Sequence, residues 1–179
     1  MPRYFAFLRA INVGGHVVKM EALRGHFEDL GFLAVETFIA SGNVIFQSKS
    51  IKTAELEKKI ERRLESELGY PVATFIRTES ELASIHAHRP FAAESVPVPN
   101  IGFLAAPIGP QAEAALMALA TPTDEFHVHG REIYWLCRTR QSESTVTNVR
   151  VERAIQTKIA FRGAGTVAKL AAKYCSRAE

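Results

Sequence analysis

The sequence predicts an α+β protein made of two ferredoxin-like repeats, each with the order strand, helix, strand, strand, helix, strand. Three observations lead to this prediction. Apolar runs typical of strands alternate with apolar residues at helical spacing, turn residues separate neighbouring strands, and the same order of elements recurs after a proline-rich stretch in mid-chain. We expect two antiparallel sheets with helices packed on one face of each.

The first repeat begins with a buried strand at 4–8, which is apolar and aromatic throughout. Apolar residues at helical spacing then predict a helix from Met20 to about Leu30, and Gly31 ends it. A hairpin is predicted at 35–47, and a second helix, closed by a glycine, at 56–69. A fourth strand at 72–77 then leads to a connecting helix at 78–88, which a capping box opens.

The second repeat follows residues 90–100, which contain three prolines and are typical of a linker. Its elements come in the same order as those of the first repeat. Strands are predicted at 101–105, 125–129, 132–137 and 158–161, and helices at 110–119 and 148–155, with a final helix at 167–174. We therefore place the first repeat at 1–89, the linker at 90–100 and the second repeat at 101–179. Only the order of elements repeats, because the two halves share no visible sequence identity.

Composition excludes several classes of protein. The 179 residues are 47% hydrophobic and 23% charged, as in ordinary globular domains. No window approaches the ~18 uninterrupted apolar residues of a membrane helix. The first residues lead straight into a strand and lack the apolar centre of a signal peptide. Because only Cys137 and Cys175 are present, we expect reduced thiols in a cytoplasmic protein with no membrane partner.

Charge is unevenly distributed along the chain. From Arg138 onward there are nine Lys or Arg against three Glu, a net of +6, whereas the whole chain carries +3. A basic C-terminal segment on a slightly acidic body favours an anionic partner, such as nucleic acid or a phosphorylated metabolite. The alternative is that this segment is simply a solvated basic tail.

The loop from residue 9 to residue 19 is the main candidate for a functional site. Adjacent Gly14 and Gly15 allow successive backbone N–H groups to turn toward one anion, and the helix that follows adds its positive dipole end. Arg9 and Lys19 supply positive charge, and Asn12 offers both a donor and an acceptor. The alternative is a tight turn in which Arg9 pairs with a surface carboxylate.

A second candidate stretch, Ser41-Gly42-Asn43, separates two strand-like runs. On its own it is typical of a hairpin turn. We expect it to lie at the opposite end of the sheet from the first loop, so that the two loops need not share a pocket. Lys158 and Arg162 precede a further glycine-rich helix start, which is also able to bind an oxyanion.

Two pairs of histidines are candidates for metal ligands. His127 and His129 lie two apart in a strand, so both face the same side. No third ligand stands out, and Cys137 is a weak candidate. His86 and His88 are two apart on a predicted helix and point in different directions. We therefore expect no metal and no cofactor.

Two motifs resemble those of the bacterial family called domain of unknown function 1697. Its members usually read Leu-Arg-Gly-Ile-Asn-Val-Gly-Gly and Tyr-Ile-Gln-Ser-Gly-Asn-Val-Phe. The matching segments here are Arg9-Ala10-Ile11-Asn12-Val13-Gly14-Gly15 and Ser41-Gly42-Asn43-Val44. The resemblance is strongest over 3–47 and implies a duplicated ferredoxin-like fold with no established activity.

The chain departs from the family pattern in three places. Ala10 replaces a glycine, and the usual Ser-Lys-Leu and Arg-Asn-Trp segments correspond here to 144–146 and 162–164. Asn148 and Arg162 are the matches that the resemblance still carries over as candidate ligand-binding residues.

These observations lead to one leading hypothesis and two alternatives. The leading hypothesis is a module that binds a phosphate-bearing ligand, with nucleic acid as the first candidate because the final third of the chain is basic. The alternatives are an enzyme acting on a small anionic metabolite at the same loop, and an interaction protein that pairs through a sheet edge. The oligomeric state is left open.

Overall fold

A computed structural model describes residues 1–39, 42–92 and 98–175. Two predicted features lie outside the described residues, namely Ser41 and the middle of the linker at 93–97. The chain divides into two compact units. The first unit comprises Met1–Ala83 and Leu170–Glu179, and the second comprises Ser84–Lys169.

The first unit contains one four-stranded antiparallel sheet and two helices. These elements are β1 (Arg3–Leu8), α1 (Met20–Asp29), β2 (Leu33–Thr37), β3 (Asn43–Gln47), α2 (Thr53–Leu68) and β4 (Thr74–Thr78). The strands are ordered β2-β3-β1-β4 in the sheet. Both β2 and β4 are therefore edge strands, and β1 lies inside the sheet, as its uniformly apolar sequence predicts.

The second unit contains a sheet with the corresponding order, β6-β7-β5-β8. Its elements are β5 (Asn100–Phe103), α4 (Pro110–Met117), β6 (Asp124–His129), β7 (Glu132–Cys137), the 3₁₀ helix Gln141–Glu143, α5 (Asn148–Ile155) and β8 (Ala160–Gly163). Two more helices, α3 (Glu79–Ala87) and α6 (Ala164–Tyr174), begin in one unit and end in the other. The predicted α+β class is confirmed, with two antiparallel sheets and six α-helices among the described residues.

Local sequence signals determine several element ends. Gly31 follows α1 with φ +83°, and Gly69 caps α2 with φ +80°, which are left-handed conformations that favour glycine. The predicted capping box opens α3, because Thr78 N donates to Glu81 Oε2 at 2.8 Å and Glu81 N donates to Thr78 Oγ1 at 3.2 Å. None of the helices in the described ranges combines the length and apolar character of a membrane span.

The core of the first unit lies between one face of its sheet and helices α1 and α2. It contains side chains from alternate positions of β1 and from the inner faces of both helices, such as Tyr4, Leu8, Leu23, Phe27 and Ile60. Alternation in β1 places Phe5 on the opposite face, where it is 1% exposed. Both faces of the first sheet are therefore covered.

The end of α6 covers this opposite face. The Tyr174 ring lies 5.8 Å from the Phe5 ring, and its hydroxyl donates to Glu36 Oε2 at 2.7 Å. Lys173 Nζ lies 3.3 Å from the same carboxylate oxygen. The expectation that helices pack on one face only is thus wrong for the first sheet, because the sequence did not show which surface the last helix contacts.

A row of four side chains crosses each sheet at corresponding register positions. From β2 to β4 the row consists of Glu36, Ile45, Phe5 and Arg77. From β6 to β8 it consists of His127, Tyr134, Ile101 and Arg162. Each row ends in an arginine whose Nη1 donates to the carbonyl oxygen of the preceding residue at 2.9 Å.

In both units a helix carboxylate bonds to a backbone amide in an edge strand or directly before it. In the first unit, Glu57 Oε1 accepts from Ile76 N at 2.8 Å and Glu61 Oε1 accepts from Thr74 N at 2.9 Å. In the second unit, Glu152 Oε1 accepts from the backbone N–H just before β8 at 3.2 Å. These contacts occupy N–H groups that an edge strand otherwise offers to another chain.

A buried carboxylate organises the core of the second unit. Asp124 is 1% exposed and accepts hydrogen bonds from Trp135 Nε1 at 2.9 Å, Thr121 Oγ1 at 2.8 Å and Ser144 Oγ at 2.9 Å. Burial raises the pKa of Asp124, but the hydrogen bonds from Thr121, Trp135 and Ser144 together lower it below the ordinary value. The carboxylate therefore remains charged inside the unit because polar hydrogens surround it.

Candidate functional site

The loop between β1 and α1 is held in shape by its own side chains. Asn12 Oδ1 accepts from Val18 N at 2.7 Å, which closes the loop on itself. Tyr70 donates its hydroxyl hydrogen to Ile11 O at 2.9 Å, and its ring stacks on His16 with centroids 3.9 Å apart. Asn12 was predicted to bind a ligand, and its side-chain oxygen is thus used to hold the loop in shape.

The tip of this loop presents backbone donors. Gly14 and Gly15 have φ of +69° and +83°, and nothing lies within 4 Å of the position that a Cβ would take on either residue. Within the described part of the chain, neither glycine N–H donates to a protein acceptor. Glycine is required here for its backbone conformation, since there is no close packing at these positions.

Two cations flank the loop. Lys19 is exposed at the N-cap of α1, and its ammonium group meets no acceptor among the described residues. Arg9 is half-buried directly after β1, and its backbone N donates to Ala73 O at 2.9 Å. The loop therefore combines a fixed backbone with positive charge at both ends.

The second motif lies at the same end of the sheet as this loop. Leu8 N donates to Gly42 O at 2.9 Å, and a Cβ on Gly42 would lie 2.9 Å from Leu8 Cβ and 3.0 Å from Ile11 Cγ2. The expectation that the two loops lie at opposite ends is wrong. Because β3 runs antiparallel to β1 and Asn43 pairs with Phe7, the start of β3 lies beside the end of β1.

Asn43 and Gly42 both build the hairpin. Asn43 is 2% exposed, its Nδ2 donates to Phe38 O at 3.0 Å, and its carbonyl oxygen accepts from Phe38 N at 3.0 Å. Gly42 has φ +75° and approaches the first loop too closely for a side chain. Their predicted part in ligand binding stays a prediction, and Ser41 lies beyond the described residues.

Three predicted ligand-binding residues belong to the second unit. Asn148 is exposed in the first turn of α5, and Lys158 Nζ lies 4.0 Å from Glu152 Oε2. Burial lowers the pKa of the Arg162 guanidinium to about 10. At the glycine-rich start of α6, Ala164 N already donates to a backbone oxygen. The predicted ligand-binding residues thus divide between the two units.

A cavity of about 510 Å³ lies within the second unit. Aromatic, imidazole and aliphatic side chains form much of its wall, including His86, His88, Phe91, Ile101, Tyr134 and Ala168. A concave and largely apolar site of this size fits a small organic molecule. The sequence did not predict it, because its walls come from α3, β5, β7 and α6.

Three histidines meet beside this cavity. His127 and His129 face the same side of β6, as predicted, and His88 joins them from the end of α3. One nitrogen from each imidazole lies within 4.8 Å of the others. The rings of His88 and His129 stack at 4.1 Å, and His88 N donates to Ser84 O at 3.0 Å.

The surroundings of His88 favour the neutral form of its imidazole. Burial lowers the pKa of His88, and the neighbouring His129 and His127 lower it further by charge repulsion. Its Nε2 atom is buried and has no hydrogen-bond partner among the described residues. Sequence reasoning missed His88 as a third member because the residue is distant in sequence and only the fold brings it to β6.

Comparison with known proteins identifies the family. The family model described as a protein of unknown function, DUF1697, matches residues 1–134. This chain belongs to the DUF1697 family. The DUF1697 match includes the β1–α1 loop, the Gly42 turn and all three clustered histidines. Asn148, carried over from the family resemblance, lies outside the matched residues.

A solved structure supports the fold of this DUF1697 protein. The conserved bacterial protein SP0830 from Streptococcus pneumoniae superposes with a TM-score of 0.77 at 23% sequence identity, over 96% of this chain and 97% of that one. At this identity the likeness shows the fold alone. The search of curated proteins finds no match.

Proposed function

We propose that this DUF1697 protein binds a phosphate-bearing ligand at the loop between Arg9 and Lys19. The observation that carries the proposal is the pair of glycine amides at the tip of a loop with fixed shape. Gly14 and Gly15 present N–H groups with no protein acceptor in the described chain, and open space surrounds both. Successive backbone amides turned toward one point are a common way to bind an oxyanion.

Preorganisation strengthens this site. Asn12, His16 and Tyr70 hold the loop, so a ligand need not order the backbone when it binds. Lys19 and Arg9 add positive charge at the two ends of the loop. Hydrogen bonds to a charged group contribute about 1.5–3 kcal/mol each, which is more than bonds between neutral groups contribute.

A titration with inorganic phosphate tests the proposal. In amide-resolved NMR spectra, we expect the Gly14 and Gly15 signals to shift, while Gly31 and Gly69, which share their positive φ, do not. Lys19→Gln weakens the response. Lys52→Gln is the matched control, because Lys52 also precedes a helix but lies 3.0 Å from Glu55. Unmoved glycine signals, or an equal loss in both variants, exclude the site.

Short RNA and DNA strands test whether the phosphate belongs to nucleic acid. We expect binding that weakens steeply with salt and that Arg9→Ala reduces, since phosphate contacts release counterions. Salt-sensitive binding that is unchanged by Arg9→Ala assigns the strands to the basic C-terminal segment instead. No binding at low salt restricts the ligand to a small phosphorylated molecule.

The cavity in the second unit supports a second candidate function, an enzyme or binder for a small organic molecule. Its volume of about 510 Å³ and its aromatic wall are the supporting observations. A screen of aromatic fragments by ligand-observed NMR tests it. Ala168→Leu fills the cavity and should remove the signals of bound fragments, and unchanged signals exclude this location.

We also infer that the two units arose by duplication of one ferredoxin-like unit, with repeats at 1–89 and 101–179 and a linker at 90–100. The matching strand order and the arginines at corresponding register positions, Arg77 and Arg162, support this inference. The two thiols are free, which fits the cytoplasmic location that we infer.

A further inference from the structure

We propose that His88, His127 and His129 form a binding site for a divalent transition metal, with Zn²⁺ as the best fit. The site lies in the second unit and does not depend on the anion-binding loop. Three observations support it: the spacing of the imidazoles, the unsatisfied nitrogen of His88, and the contrast with the corresponding position of the first unit.

The spacing of the three imidazoles is close to that of a metal site. Zinc binds histidine nitrogen at about 2.0–2.1 Å, which places the ligand nitrogens roughly 3.3 Å apart in tetrahedral geometry. The three nitrogens here already lie within 4.8 Å of one another. His129 is exposed and stacks on His88, so its ring has room to reorient toward a metal.

The protein leaves one imidazole nitrogen of His88 unsatisfied. Its Nε2 atom is buried without a hydrogen-bond partner in the described residues. A buried polar atom without a hydrogen-bond partner destabilises the folded state, so such atoms are uncommon in folded proteins. Neutral imidazole has a lone pair for a metal, and metal coordination removes this cost.

The first unit shows how the corresponding position looks when it is satisfied. Glu36 occupies the register position of His127, and it binds Tyr174 and Lys173 from the end of α6. In the second unit, the end of α3 brings His88 to this position instead. The carboxylate of Glu36 thus has both a hydrogen-bond donor and a cation beside it in the first unit, whereas three imidazoles lie at the corresponding position of the second unit.

The donor set selects the class of metal. Three nitrogen ligands suit Zn²⁺, Cu²⁺, Ni²⁺ or Co²⁺, whereas Mg²⁺ and Ca²⁺ prefer oxygen. Three protein ligands also leave a coordination position open for water or another ligand, as in catalytic zinc sites. His88 lines the 510 Å³ cavity, so a metal held there lies at the edge of that cavity.

Zinc titration of the full chain by isothermal calorimetry tests the proposal, with any polyhistidine tag removed. We expect one Zn²⁺ per chain, and His129→Ala and His127→Ala should each weaken binding at least about 100-fold, since even outer-shell partners are worth about 10–100-fold. His86→Ala is the matched control, because His86 lines the same cavity but lies outside the cluster. It should leave the affinity unchanged.

Two outcomes overturn the metal site. One is the absence of stoichiometric zinc uptake by the folded parent. The other is an equal loss of affinity in His86→Ala and His129→Ala, which places the binding elsewhere. Circular dichroism confirms that each variant is folded, and Co²⁺ loading gives an intense visible band only when coordination is four- or five-fold. The Gly14 and Gly15 NMR signals report the anion site separately, so failure of either proposal is distinguishable.

Discussion

The two units use the same strand order but differ in what they hold at one position. The row across the first sheet begins with Glu36, which Tyr174 and Lys173 satisfy. The row across the second sheet begins with His127, beside His88 and His129. The same arrangement of backbone therefore supports a stabilising contact in one unit and a candidate ligand site in the other.

A second difference between the units lies where β1 and β5, the first strand of each unit along the chain, come to an end. In both units a leucine N–H at the end of this strand donates to the carbonyl of the adjacent hairpin turn, from Leu8 to Gly42 and from Leu104 to Arg131, each at 2.9 Å. The first unit then continues into the long cationic loop with two glycines. The second continues through 105–109 to a proline-started helix. The scaffold thus fixes where the loop starts, and the inserted residues decide its chemistry.

The largest expected effect comes from removing Asp124, the buried carboxylate that organises the core of the second unit. Asp124→Ala should reduce the free energy of unfolding by about 3 kcal/mol or more, because the buried Trp135 indole loses its acceptor. Urea denaturation followed by Trp135 fluorescence measures it, since this is the single tryptophan.

Glu125→Ala is the control for that variant, since the exposed ion pair of Glu125 with Arg138 should contribute about 1 kcal/mol or less. An Asp124→Ala protein as stable as the control contradicts the central role of this carboxylate. The folded-state pKa of Asp124 is lowered, so its ionised form stabilises the unit above the unfolded pKa. That stability should be lost as the pH falls below about 3.9, and Asp124→Asn should flatten this acid dependence.

Removing the helix carboxylates that bind amides at the edge strands should lower the free energy of unfolding by a smaller amount, which differs between the two units. Glu57→Ala should cost about 1–3 kcal/mol, because Glu57 is buried and binds Ile76 N at 2.8 Å. Glu152→Ala should cost less, since its bond to Ile159 N is longer, at 3.2 Å. Hydrogen exchange at the Ile76 and Ile159 amides measures both. Equal exchange rates in the two variants contradict the assigned order.

The smallest effect should come from the contact that satisfies Glu36. Tyr174→Phe removes one hydrogen bond at an exposed carboxylate and should cost about 1 kcal/mol or less. The hydrogen bond from Tyr174 is the largest cause that lowers the pKa of Glu36, and Lys173 adds to it. The variant should therefore show a higher Glu36 pKa in a carboxyl NMR titration.

The direction of the resulting pH dependence follows from linkage. Because the folded-state pKa of Glu36 is lowered, its contribution to stability is present above the unfolded pKa and is lost as the pH falls below it. Tyr174→Phe should lose less stability than the parent on acidification. Lys169→Gln is the control at the same helix, since Lys169 has no contact with this carboxylate. An unchanged pKa in Tyr174→Phe contradicts the pairing.

Sequence reasoning succeeded where the signal is local. The glycines at 31 and 69 end helices because few other residues adopt a left-handed conformation cheaply, and the Thr78–Glu81 capping box acts within one helical turn. It failed for the position of Gly42, which depends on how β3 pairs with β1. The predicted last strand also lies two residues later than expected, at Ala160–Gly163.

The candidate sites show the same contrast between local sequence signals and contacts that depend on the tertiary structure. The sequence alone determined the α+β class and the glycine-rich cationic loop, because each depends on residues close together in the chain. Only the tertiary structure decided that Asn12 and Tyr70 hold this loop, that Gly42 lies beside it, and that His88 meets two histidines of β6. Such contacts join residues distant in sequence, and they form only when strand pairing and helix packing bring those residues together.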